Sequence, residues 1–237
     1  VKRALFEQLL AARADARPVV LVTELETGSQ ALVFASGDHD EDDGGGLAAD
    51  IVSAAREALL TGRSAIIDPS QAGRTFLHVF NPPLRLYIVG AVHIAQALAP
   101  MAAMLGYSVT VIDPRRAFAS PQRFDGLRVL SQWPDDALAG EKLDARCALV
   151  TLSHDPKLDD PALAAALGSD AFYIGCLGSR RTHAKRLQRL SAAGFDAHGL
   201  QRLHGPVGLD IGARSAAEIA TSVLAEMTRT LHGGVSG

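Results

Sequence analysis

Apolar and charged positions alternate with a helical period through VKRALFEQLLAARADAR, predicting an amphipathic helix at the start of the chain. Pro18 stops that period, and PVVLVTEL reads as a buried strand joined through a Gly28-Ser29 turn to a short strand, QALVFA; together they predict a hairpin. Asp38 to Gly46, DHDEDDGGG, offers nothing to bury and reads as a mobile loop. Its His, Asp and Glu side chains are of metal-ligating type, but an acidic run without a defined fold around it seldom fixes a coordination geometry, so no metal site is predicted. Leu47 to Leu60 returns to helical spacing and ends at Thr61-Gly62, and SAIID and TFLHVF follow as strands. Pro82-Pro83 fits neither strand nor helix and marks a boundary. Residues 1–83 are thus expected to form a small N-terminal α/β domain.

Beyond the prolines the rhythm becomes strand, loop, helix, repeated. Strands are predicted at Leu86–Gly90, Ser108–Asp113, Leu127–Leu130, Ala148–Leu152 and Ala171–Ile174. Helices are predicted at Ile94–Leu105, Asp160–Leu167, Arg181–Ala192 and Ser215–Leu231, the last opened by a Ser215/Glu218 capping box. Near-continuous apolar strands alternating with helices signal a parallel sheet covered on both faces. Residues 84–237 are therefore expected to form a Rossmann-like, doubly wound domain that binds ligand at the carboxyl ends of its strands.

Composition adds little to this picture. Hydrophobic residues make up 48% and charged residues 21%, with a formal net charge of −3, as in ordinary soluble globular proteins. There is no basic excess to suggest nucleic acid, and no stretch approaches the roughly 18 apolar residues of a membrane span. The two cysteines, Cys147 and Cys176, make neither a disulfide framework nor a metal array, which fits a cytoplasmic setting. The arginines are concentrated in a few loops, suggesting a small anionic ligand.

The first of these loops, Gly90-Ala91-Val92-His93-Ile94-Ala95, lies between a strand and a helix, where a dinucleotide fingerprint would stand. Gly90 and Ala95 fit its outer positions, but Val92 replaces the middle glycine and should hold a pyrophosphate off the helix N-terminus. That N-terminus still favours some anion. Asp113 follows Gly90 by 23 residues, about where an acid would meet a ribose hydroxyl; a helix or turn cap before Pro114 is the alternative, and its place at a strand end favours the ligand role. Arg115 and Arg116 either hold a 2′-phosphate or pair with Asp113 and surface carboxylates, and the sequence leaves both open. His154 and Asp155 follow the fourth strand as a ligand contact or an acid/base pair, although Asp155-Pro156 is equally good turn chemistry. Gly178, Ser179, Arg180 and Arg181 enter a helix carrying Lys185, Arg186 and Arg189, the strongest local signal for a phosphate site. Cys176 beside it reads as a reactive thiolate or, more commonly, as a small buried hydrophobe, while Cys147 is assigned to packing. A final loop, His204 to Ala213, either brings Asp210 and Gly212 across the ligand or rigidly returns the chain to the sheet.

GAVHIAQALA, VTVIDPRR, LSHDPKLDDPAL, YIGCLGSRRTHAKRL and HGPVGLDIGARSAAEIA, in that order, resemble the C-terminal domain of the XdhC/CoxI family over nearly all of Leu86 to Leu231. Members are accessory proteins for molybdenum hydroxylases such as xanthine dehydrogenase and carbon monoxide dehydrogenase. The resemblance implies a chaperone that binds molybdenum cofactor, as molybdopterin or its dinucleotide form, assists its sulfuration by a partner such as a cysteine desulfurase, and helps insert it into an apo-hydroxylase. The phosphate of the pterin suits the basic sheet edge. Many members have glycine at the position of Val92. Longer members carry Gly-Gly-Gly-Cys where this chain has Gly44-Gly45-Gly46-Leu47, so a role for that cysteine would fall to Cys176 or be absent. The competing readings are an NAD(P)-dependent oxidoreductase and a nucleotide-responsive regulatory module. No second set of polar groups stands out as a proton donor against a nicotinamide, so no catalytic residue is assigned and a binding protein is expected rather than an enzyme. The sequence leaves open whether the chain forms a homo-oligomer.

Overall fold

The computed structural model describes residues 3–35, 39–41, 46–69 and 73–233, with residues 39–41 described by their backbone. It divides into two compact units, Val1–Pro82 and Pro83–Gly237.

The first unit is a five-stranded antiparallel sheet with two helices. Its elements are α1 (Arg3–Ala14), β1 (Val19–Glu24), β2 (Gln30–Phe34), β3 (His39–Glu41), α2 (Ala49–Thr61), β4 (Ala65–Ile67) and β5 (Thr75–Phe80), and the strand order is β3-β2-β1-β5-β4. Strand geometry sends alternate side chains to opposite faces, and β1 is apolar at every one of its first four positions because both faces are covered. Val19 and Leu21 join Leu5, Leu9 and Ala12 of α1, whereas Val20 and Val22 join Ile51, Ala55 and Leu59 of α2. The acidic segment expected to be a mobile loop departs from that reading at His39–Glu41, which pairs antiparallel with β2 as an edge strand. A two-sided polar strand carries no alternation for a sequence pattern to register. Asp38 and residues 42–45 lie outside the described residues.

The second unit is a six-stranded sheet, parallel throughout. Its strands are β6 (Arg85–Val89), β7 (Ser108–Ile112), β8 (Arg128–Leu130), β9 (Cys147–Thr151), β10 (Tyr173–Cys176) and β11 (Leu203–His204), in the order β11-β10-β9-β6-β7-β8. The helices are α3 (His93–Met104), α4 (Pro134–Ala139), α5 (Pro156–Leu167), α6 (Arg180–Ala192), α7 (Ala197–Leu200) and α8 (Ala216–Leu231). Counted from β6, the strands stand third, second, first, fourth, fifth, sixth, the doubly wound Rossmann order. Alternation again sorts the layers. Leu86 and Ile88 pack with α3 and α8, and Tyr87 and Val89 face the other way into the cluster that includes α4 and α5. Three elements escape the sequence pattern: β11, at two residues too short to show a period, and the short helices α4 and α7.

Register brings the ligand edge together. Val89 stands opposite both Ile112 and Thr151, and Thr151 stands opposite Cys176. The loops after β6, β7, β9 and β10 therefore leave the sheet at one level, and the order reverses between β6 and β9, where doubly wound sheets open a crevice.

Candidate functional site

Gly90 closes β6 with φ +103°, and a Cβ there would lie 2.8 Å from the Ser153 backbone nitrogen. Left-handed backbone and close approach of the loop after β9 both require glycine. Next to it, the Ala91 N–H donates to Asp113 Oδ2 at 2.8 Å, while Arg115 donates to Asp113 through its backbone N–H (3.0 Å), Nε (2.9 Å) and Nη2 (2.7 Å). Asp113 is fully buried. Burial by itself would raise its pKa, but the guanidinium and the two backbone N–H donors outweigh that and hold the carboxyl below its ordinary value. A carboxylate offers about four acceptor sites, and here four donors occupy them. Asp113 thus staples the loop after β6 to the loop after β7, and a ribose hydroxyl would have to displace one of these donors. Of the two readings open for Arg115, the structure takes the pairing with Asp113, with the guanidinium also 4.4 Å from the Phe118 ring centroid. Arg116 is exposed.

Val92 is the N-cap of α3, in extended conformation and without a side-chain cap, and its side chain packs against the core. His93 follows, exposed, with Nδ1 3.3 Å from Gln96 Oε1. With Gln96, Ala117, Phe118 and Arg123 these two residues line a groove of about 570 Å³. Arg123 carries no sequence signal, because it ends a single 3-10 turn, Pro121–Arg123, with no motif around it. It donates to the Ala91 carbonyl (2.9 Å), the Phe118 carbonyl (2.7 Å) and Gln96 Oε1 (3.0 Å), tying the fingerprint loop to that segment.

A second hollow, of about 290 Å³, is lined by His154, Pro156 and Asp159 at the start of α5 and by Arg181, Thr182, Lys185, Arg186 and Arg189 of α6. Both helices follow carboxyl ends of strands, so both N-termini, each with its partial positive charge, lie at the ligand edge. The structure does not join His154 to Asp155 as an acid/base pair. Asp155 caps α5 by accepting from the Lys157 N–H at 3.0 Å, and it does not line the hollow. His154 has φ +61°, a left-handed conformation uncommon outside glycine, and is exposed at the rim. Ser179 caps α6 through the Thr182 N–H, and Gly178 (φ +142°) passes so close to Thr182 that a Cβ would come within 3.1 Å of it. Arg181 lines the hollow, whereas Arg180, although exposed beside it, does not.

Arg186 reads in the sequence only as one of several helix cations. It is 1% exposed, and its Nη2 donates to the Leu177 carbonyl at 2.9 Å and lies 3.5 Å from Asp159 Oδ2, while Nε and Nη1 have no acceptor among the described residues. Asp159 is equally buried; desolvation pushes its carboxyl up against the opposing pull of the Ser153 hydroxyl, which donates to it at 2.6 Å, and of Arg186. An unsatisfied buried donor costs on the order of 1–3 kcal/mol, more when charged.

The loop after β11 is pinned away from both cavities. Gly205 leaves no room for a Cβ beside the His183 ring, and Gly208 (φ +90°) leaves none beside Ser222. The Gly208 N–H and the Tyr173 hydroxyl both donate to Glu226 Oε2, at 2.9 and 2.6 Å, and His204 stacks on Tyr173 with centroids 4.5 Å apart. Asp210 and Gly212 are exposed and line neither cavity, so of the two readings for this loop the rigid return describes its geometry. Cys176 and Cys147 are fully buried, and burial pushes the Cys176 thiol up to about 12. That is the behaviour of a packed side chain rather than of a thiolate nucleophile. Among the described residues no group of three or more His, Cys, Asp or Glu is placed to hold a metal, and no helix is long and apolar enough to cross a membrane.

Comparison with known proteins places this geometry. Residues 86–227 match the family model described as the XdhC Rossmann domain. The chain is 36% identical over 148 residues to PaoD of Escherichia coli K12, described as a molybdenum cofactor insertion chaperone, covering 62% of this chain and 40% of PaoD. It is 33% identical over 170 residues to YqeB of the same organism, an uncharacterized protein, covering 72% of this chain and 31% of YqeB. It is 32% identical over 161 residues to a probable xanthine dehydrogenase subunit of Bacillus subtilis 168, covering 68% of this chain and 47% of that protein. The chain thus spans less than half the length of each of these relatives. A crystal structure described as a xanthine dehydrogenase from Bacillus halodurans superposes with a TM-score of 0.74 at 22% identity, over 98% of this chain and 66% of that one, a likeness of fold. With five motifs in order along a Rossmann sheet and a family match across most of that sheet, the chain belongs to the XdhC family.

Proposed function

We propose that this chain is an accessory chaperone that holds molybdenum cofactor as cargo, assists its sulfuration by a cysteine desulfurase, and supports its insertion into an apo-hydroxylase of the xanthine or carbon monoxide dehydrogenase type. The observation that carries the reading is the basic hollow with the buried, partly unpartnered Arg186, in a chain related to PaoD. The cargo is a pterin bearing a phosphate or, in dinucleotide form, a pyrophosphate. A buried guanidinium with free N–H groups, flanked by Arg181, Lys185 and two helix N-termini, fits such an anion. The uncapped start of α3 at Val92 and His93 offers a further N-terminus along the same edge. Gly90, Ala91, Asp113 and Arg115 hold that loop in shape, His154 and Arg181 line the hollow, and Gly178 and Ser179 set the start of α6 beside it.

The second reading, an NAD(P)-binding protein, is favoured by the strand order and by the fingerprint position of Gly90. Val92 counts against tight dinucleotide binding, and Asp113 already has its acceptors filled.

The deciding experiment purifies the chain from a host that makes molybdenum cofactor and measures bound molybdenum and the fluorescence of the released pterin. The chain is then mixed with an apo-hydroxylase and cofactor. The expected result is bound pterin, a rise in hydroxylase activity and no hydride transfer by the chain alone. Robust NAD(P)H oxidation by the isolated chain, lost in His154→Ala, would replace the chaperone reading with the oxidoreductase one.

A further inference from the structure

Two features of the hollow between α5 and α6 bear on what it binds. The first is its charge. Arg189 is engaged by Asp160 through Nε at 2.6 Å and Nη2 at 2.9 Å, and Arg186 faces Asp159. Arg181 and Lys185 pair with no carboxylate among the described residues, so the hollow keeps an excess of positive charge in a protein whose net charge is negative. The second feature is Arg186, which is buried at the hollow with Nε and Nη1 unsatisfied. Its position is fixed from behind: Nη2 is anchored on the Leu177 carbonyl, and Asp159 is itself held by the Ser153 hydroxyl. Guanidinium groups of this kind, prearranged with free N–H donors, recognise tetrahedral oxyanions that accept several hydrogen bonds at once.

We infer that the hollow between α5 and α6 is a seat for a phosphate monoester dianion, gripped by Arg186 from within and by Arg181 and Lys185 at the rim. This locates the phosphate against the first two turns of α6, from Arg181 beside the glycine-bearing loop that the sequence favoured to Lys185 and Arg186, and gives Arg180 no part. The inference deepens the chaperone reading by naming the group of the cargo that docks, but it stands on the hollow alone. Either free phosphate or the phosphate end of a larger ligand supplies the same chemistry.

The test is calorimetric titration of the full chain with inorganic phosphate, AMP and adenosine at about 0.15 M ionic strength, where weak surface ion pairing is largely screened. Saturable binding of one phosphate or one AMP is expected, with none of adenosine. The tighter of the first two identifies the source as a free ion or a phosphorylated ligand. Arg181→Gln and Lys185→Gln, both on exposed positions, should each weaken binding about tenfold and together abolish it, whereas Lys142→Gln, which removes the same charge elsewhere, should leave it unchanged. Arg186→Gln should abolish binding, its folding being checked by thermal melting; if it does not fold, the two rim variants decide. Failure of phosphate and AMP to bind at millimolar concentration, equal binding of adenosine, or equal effects of the rim variants and Lys142→Gln would overturn the inference. Retention of molybdenum cofactor by the Arg181/Lys185 double variant would overturn it while leaving the chaperone reading intact. Phosphate binding without cofactor binding would do the reverse.

Discussion

Asp113 and Arg186 are both buried charges, yet they are built in opposite ways. Asp113 has its lone pairs filled by Ala91 and Arg115, so it is finished as it stands. Arg186 retains donors that no group among the described residues accepts. The first pattern is that of a staple and the second that of a binding group. The staple makes a prediction about pH. Because the folded pKa of Asp113 lies below its unfolded value near 3.9, the carboxylate stabilises the fold above that pH, and this contribution fades as pH falls through the depressed folded value. Asp113→Asn should therefore lose about 1–3 kcal/mol at pH 7, the usual worth of hydrogen bonds to a charged group. Urea denaturation should find the deficit constant from pH 7 to about 5 and shrinking below about 4. A deficit that stays level at pH 2 would assign the loss to packing instead. Of these two residues the sequence pointed to Asp113 through its spacing from Gly90, but it could not say what the carboxylate would bind, because its main partner, Arg115, offered two roles. Arg186 was visible only as a cation on a basic helix, since its burial depends on Asp159, 27 residues earlier in the chain.

At the scale of elements, periodicity located the strands and helices that are long and apolar and missed those that are short or polar. The α5 helix is instructive. Read from the sequence it starts at Asp160, but it begins at Pro156, with Pro161 inside it and Asp155 as its cap. That shift of one turn carries Asp159 onto the helix and turns it toward Arg186, which is why the pair could not be foreseen. The α3 helix was placed within a residue of its start, and its beginning carries a prediction of its own. Val92 occupies the position where a dinucleotide site needs bare backbone, and its extended conformation is open to glycine. Val92→Gly should strengthen NAD binding by calorimetry, about tenfold or more. Wild-type affinity already in the micromolar range, on the order of −8 kcal/mol, would show that the side chain is no obstacle.

At the scale of the molecule, each unit buries its own apolar clusters on both faces of its own sheet. Units so constructed have separate cooperative cores, and scanning calorimetry should resolve two transitions or give a van't Hoff enthalpy well below the calorimetric one. A single two-state transition would make the chain one cooperative unit. The two compact units meet at Pro82-Pro83, adjacent prolines that fit no regular element, and within the first unit the hairpin and the strands β4 and β5 followed the sequence pattern while β3 did not. The strand that escaped notice there, β3, also has a bearing on how copies of the molecule treat one another. It is an outermost strand, and an outermost strand leaves half of its backbone donors and acceptors open to any passing strand. A second copy adding its own β3 to this border would set the backbone of Asp40 and Glu41 about 4.8 Å from a like-charged strand. The charges on this strand, in a segment that the sequence reads as a mobile loop, are therefore expected to discourage such pairing. Replacing Asp40 with Asn and Glu41 with Gln should let the protein associate with rising concentration, visible by light scattering, and scattering equal to that of the parent would mean the border is guarded in some other way.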